Sequence, residues 1–246
     1  MRLPENIYTA LKPHMAHHAP WHSARRPGNE AMRGPGTAFP TLLGQRDVGS
    51  GEQFLRFHRD MVRVFKWVLA NTPGSAYPYA PWPQLPSYVA DLFEANDPGF
   101  LAGTYARTAE LVAQGTAEDL GAFIEATLTS TEPRRGLHDS THGAVDQYEV
   151  AQFGAGAAGL KDARMNAFGT APHNEHFWGL HGWIDERFAD WQRAHGETVD
   201  QSPLAPSHHL HGMPGLAAPV PVDPHVGSDV LRPHWEQPHF RPARSR

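Results

Sequence analysis

The chain has 246 residues and a mass of 27.2 kDa, enough for one domain that buries most of its apolar surface. Its formal net charge of −5 is small and spread along the sequence, which speaks against a nucleic-acid platform. The absence of cysteine excludes disulfides, thiolate metal sites and a cysteine nucleophile.

No apolar run approaches membrane-spanning length, and MRLPENIYTAL lacks an apolar signal core, so the expected setting is soluble and cytoplasmic, with no membrane partner. Residues 5–18 carry helical turns on either side of Pro13. Residues 19–40, with four prolines and three glycines, read as loop, and His14, His17, His18 and His22 cluster around its start. Residues 52–71 form an amphipathic helix. Phe54, Phe57, Met61, Val64, Phe65, Val68 and Leu69 recur at helical intervals, and ANTPG stops it. His58 lies one turn from both Phe54 and Met61, so it faces inward.

YPYAPWPQLP, residues 77–86, is an extended connector lined with aromatics. Two or three helices follow over 87–95 and 100–129, with Thr116 and Asp119 as a start signal, and these serve packing rather than chemistry. His138 and His142, four apart, share a helical face. GAGAAG at 154–159 formally matches a dinucleotide-binding fingerprint, but no strand precedes it, so a flexible loop over the metal site is the better reading. Residues 169–192 turn helical from about His176, which puts His181 and Asp185 one turn apart. The tail, 201–246, is coil rich in proline and histidine.

A lone histidine on an aromatic helix is usually a satisfied core residue. Two imidazoles at HxxxH spacing plus His181 make a three-histidine metal site built from two helices the stronger reading. GTAPHNEHFWGLHGWIDERFADWQRAH resembles, without a gap, the second copper motif of bacterial tyrosinases. Pro172, Phe177, Trp178, His181, Asp185, Trp191, Gln192 and His195 fall in register, and Leu137, His138 and His142 match the upstream histidine pair. FLRFHRDMVRVFKWVL, residues 54–69, resembles the first motif through Phe54, Leu55, His58, Arg59 and Phe65. The resemblance covers about residues 45–70 and 136–195. The departures are Gly49 where the family has a ligand histidine, Leu180 for the first of two adjacent histidines, Asp139 for an asparagine, and a longer stretch between His142 and His181.

The resemblance implies an all-α, tyrosinase-like helical bundle with a type-3 copper centre in its middle. Residues 1–246 would be one domain, with an N-terminal segment (1–50) and a Pro/His-rich coil tail (201–246). His138, His142 and His181 would hold one ion, and His58 a second, completed by His22 or His18. The family also implies an Arg59–Asp185 ion pair, with Asp185 bracing the ligand rings. Imidazoles alone suit copper, zinc, nickel or iron. Without thiolate or carboxylate donors, copper (one or two ions) is the expected metal, and a small aromatic substrate and O₂ the expected partners. Three functions follow. The first is oxidation of a phenol, o-aminophenol or catechol. The second is a single three-histidine site with divergent or no oxidase activity, favoured by Gly49. The third, ranked last, is a zinc hydrolase, since HDxxH at 138–142 is one methylene short of HExxH.

Overall fold

The computed structural model describes residues 1–45, 47–125 and 136–206. Among these residues the fold is all-α, with nine α-helices and two isolated bridges, Arg2–Asn174 and Arg33–Phe39, as the extended pairing.

The longest helix, α3 (Ser50–Asn71), is the axis of the bundle. Its expected apolar stripe is buried except for the half-buried Leu69, and burial extends to Leu55, Val62 and Arg59, so the helix is covered on most sides. It packs against α1 (Glu5–Met15), α6 (Ala117–Glu125) and α9 (Glu175–Ala194). Phe65 stacks on Trp178 of α9 at 3.9 Å between centroids. Arg59 forms the expected ion pair with Asp185, and its guanidinium also donates to the Gln192 side chain and, at 3.0 Å, to the Asp185 carbonyl. Further helices are α4 (Ser87–Asn96), α5 (Phe100–Gln114), α7 (Leu137–Phe153) and the short α8 (Ala158–Lys161). The start of α6 follows the sequence signal: Asp119 N–H donates to Thr116 Oγ1 (3.0 Å), and Thr116 N–H donates back to the Asp119 carboxylate (3.1 Å).

Two stretches depart from expectation at the N-terminus. α1 runs through Pro13 without a break, and residues 19–25, expected as loop, belong to α2 (His18–Arg25). Pro20 falls in the first turn of α2, where an N–H has no helical acceptor, so the proline costs the helix nothing. Trp21 then anchors α2 by stacking on Phe57 of α3 at 3.9 Å.

The connector at 77–86 is extended, as its prolines demand, and lies along α9. Trp82 N–H donates to Gly179 O at 3.1 Å. Gly179 and Gly182 make that approach possible, since a Cβ at Gly179 would come within 2.2 Å of the Trp82 ring. The glycine run at 154 closes α7 with Gly154 at φ 81°, where L side chains are strained, and leads into α8. The residues that reach the histidine cluster lie further on, at 165–168. The end of the helix expected to reach 129, and the Pro/His-rich tail from residue 207 on, fall outside the described residues. No helix among the described residues is long and apolar enough to cross a membrane.

Candidate metal centre

Six imidazoles meet where α2, α3, α7 and α9 converge: His18 and His22 from α2, His58 from α3, His138 and His142 from α7, and His181 from α9. All six are buried, none more than 3% exposed. The donor atoms of His18, His22 and His58 lie within 4.8 Å of one another, and so do those of His58, His138 and His181. His142 lies beside the second group but is not one of its three mutually close donors, its ring 4.6 Å from that of His138 and 5.4 Å from that of His181. Of the N-terminal histidines, readable as surface groups on a frayed end, His17, His18 and His22 are buried and His14 is half-buried, and both His18 and His22 come to His58.

The hydrogen bonds at the far side of each ring decide what the near side can do. His18 Nδ1 meets Phe168 O (2.8 Å), His58 Nδ1 meets Phe54 O (2.9 Å), His142 Nδ1 meets Met165 O (2.6 Å) and His181 Nδ1 meets Phe177 O (2.7 Å). His138 Nδ1 meets the Asp139 carboxylate at 2.8 Å. A carbonyl or carboxylate oxygen only accepts, so each of these five Nδ1 atoms carries the proton. Each corresponding Nε2 is then a bare lone pair. The Nε2 atoms of His18, His22, His58 and His142 have no hydrogen-bond partner, and those of His138 and His181 face each other at 3.1 Å. Two lone pairs so close repel unless a cation lies between them, and about 3.3 Å is the separation of two nitrogens bound tetrahedrally to one ion at 2.0–2.1 Å.

Burial works against a proton on His181 and on four of its neighbours. Burial pushes His18 and His142 down to about 3, with neighbouring imidazoles adding to it. Burial likewise holds His22, His58 and His181 well below the usual histidine range. Neutral, oriented, desolvated imidazoles with unpartnered nitrogens are what a nitrogen-ligated transition metal requires. The walls are aromatic. Phe177 stacks on His181 at 3.7 Å and Phe168 on His22 at 4.4 Å, while Phe54 and Trp21 close other sides.

Among the described residues, Asp185 makes no hydrogen bond to the His181 ring that it was expected to brace. Its carboxylate takes Arg59 and the Gln201 amide (2.8 Å), and the ring is held by its own helix through Phe177 O. The carboxylate that does meet a candidate ligand is Asp139, partly exposed beside His138. The ring-holding carbonyls of Met165 and Phe168 were not legible in the sequence, because a backbone group has no signature of residue type.

No protein-family model matches the chain. It is similar to a tyrosinase. That relative, from Streptomyces antibioticus, is 24% identical over 190 residues, covering 63% of this chain and 69% of the tyrosinase. The tyrosinase likeness and the two buried histidine groups are separate observations, one of sequence and one of geometry, and both are compatible with a metal site.

Proposed function

We propose that this protein is a copper-dependent oxidoreductase that oxidises a phenol, catechol or o-aminophenol with O₂. His18, His22 and His58 hold one copper, and His138, His142 and His181 hold the other. The observation that carries the reading is the convergence of six buried imidazoles, five with an Nε2 lone pair that meets no hydrogen-bond donor of the protein and the sixth, His22, with an Nε2 that has no partner.

Bound copper supplies the capacity to activate O₂ and to take electrons from the aromatic ring. For a catechol the balance is two diphenols and one O₂ to two o-quinones and two waters. The protein contributes orientation and dryness. The carbonyls behind His18, His58, His142 and His181 fix each ring, so no donor reorganises during turnover. Arg59, next to His58, clamps Asp185 and Gln192 on α9, one turn and more beyond His181, and keeps α3 and α9 at a fixed separation. Phe54, Phe168 and Phe177 exclude water from the cluster.

A single-ion reading is favoured by one observation, that His58 belongs to both groups of donor atoms. Copper loading separates the two readings. The proposal expects about two coppers per chain, O₂ uptake with catechol or o-aminophenol, and an oxidised state nearly silent in EPR, because coupled cupric ions pair their spins. One copper with a full cupric EPR signal would establish the single-ion protein instead. Tightly held zinc without O₂ uptake would sink the oxidase. Hydrolytic zinc chemistry draws no support from Asp139, whose carboxylate is engaged by His138.

A further inference from the structure

Three of the six candidate ligand rings are positioned by one loop, residues 162–170. Met165 O accepts from His142 Nδ1 at 2.6 Å, Phe168 O accepts from His18 Nδ1 at 2.8 Å, and the Phe168 ring stacks on His22 at 4.4 Å and 5°. One loop therefore serves rings that the proposed function assigns to both coppers, on helices α2 and α7. By contrast, His58 and His181 are held by carbonyls one turn back in their own helices.

The loop is itself fastened at one point more firmly than elsewhere. Asp146, buried on the next turn of α7 after His142, receives Arg164 Nε at 2.6 Å and Arg164 Nη2 at 2.5 Å, a two-pronged ion pair, and also the Asn166 N–H at 3.4 Å. Thr170 Oγ1 closes the loop on itself, donating to Arg164 O and accepting from Arg164 N–H, both at 3.1 Å. Asn174 Nδ2 ties Ala163 O to the start of α9 at 2.7 Å. The Arg164 fork holds the loop to the helix that carries His138 and His142.

We infer that Asp146 and Arg164 are positioning residues that set the rings of His18, His22 and His142 together, so that the two metal sites are organised and filled as a unit. The inference rests on the two-copper reading above for its second half, and on geometry alone for its first.

The test has one arm for each half. In the metal-free full-length chain, the proton–nitrogen NMR spectrum of the histidine side chains reads each Nδ1–H directly. In Asp146→Asn, the His18 and His142 ring protons should exchange with solvent at least about tenfold faster, while those of His58 and His181 keep their protection. Four signals unchanged, or four changed alike, would overturn the assignment, since a general structural role does not choose between these pairs. Should Asp146→Asn not fold, Arg164→Lys, which keeps the charge and loses the fork, is read the same way. In the second arm copper is titrated into wild type and variant. Two coppers per wild-type chain, with both weakened about tenfold or more in the variant, support the coupling. Two coppers in wild type with neither or only one weakened in the variant overturn it. Fewer than two in wild type refute the two-copper reading and with it the coupling, and the NMR arm still decides what the clamp does to the rings.

Discussion

Arg59 shows how much of the centre depends on side chains that touch no candidate donor atom. It leaves α3 one residue after His58, and its guanidinium is spent entirely on α9, on the Asp185 carboxylate and carbonyl and the Gln192 amide. Both charges are buried, so the pair's removal is asymmetric. Arg59→Met strands a buried carboxylate and should cost about 3–5 kcal/mol in a urea titration. Arg59→Met with Asp185→Leu should recover a large part of that loss, because no charge is left without a partner. Equal losses in the single and double variants would mean that the pair acts through packing alone. Residue identity made this pair legible from sequence, since the tyrosinase-like register sets an arginine against an aspartate. It did not reveal that the rings are steered by peptide carbonyls, which any residue type supplies. The ring of His181 meets Phe177 O, while the Asp185 carboxylate takes Arg59 and Gln201.

At the scale of elements, the strongly periodic helices were readable and the N-terminal one was not. α3 announces itself because seven apolar side chains recur on one face, and α6 because a threonine and an aspartate satisfy each other's backbone N–H groups. α2 is eight residues long and sits in a proline- and glycine-rich stretch, so composition averaged over that stretch hides it. What makes it a helix is tertiary, the Trp21–Phe57 stack and the burial of its histidines. Helix crossings were equally invisible. α3 and α6 touch backbone to backbone at Gly51 and Gly121, where a Cβ on Gly121 would stand 1.9 Å from Gly51 O and one on Gly51 2.3 Å from Glu118 O. At Gly179 the atom in the way belongs to the Trp82 side chain on the connector, which can shift. Gly121→Ala should thus destabilise by about 3 kcal/mol or more and Gly179→Ala by about 1–2 kcal/mol. Thermal unfolding of the two variants checks the order, and a reversed order would mean that the helix crossing is looser than the connector.

For the whole molecule, gathering six imidazoles in a dry core ties stability to acidity. A histidine whose folded value is depressed binds fewer protons folded than unfolded once the pH drops below 6.5, so stability falls as pH falls from there. His18, His22, His58, His142 and His181 all have that shift, with burial as the main cause. Each such ring removes about 1.4 kcal/mol per pH unit below 6.5, so five together remove about 7 kcal/mol per unit, comparable with a typical total of 5–15 kcal/mol. Glu125 works the other way. Burial pushes it up to about 6 against the opposing pull of Arg25, so its contribution is present below 4.5 and is lost as pH rises through 6. That single carboxyl offsets about 2 kcal/mol, far short of the five rings. The metal-free chain should therefore lose its helical circular dichroism cooperatively near pH 5. Copper competes with protons for the same Nε2 atoms, so the loaded protein should hold its helices to a lower pH, by an amount that grows with free copper. A metal-free protein that stayed fully helical at about pH 4 would show that these rings are free to charge, and unpartnered imidazole nitrogens could then no longer argue for a metal.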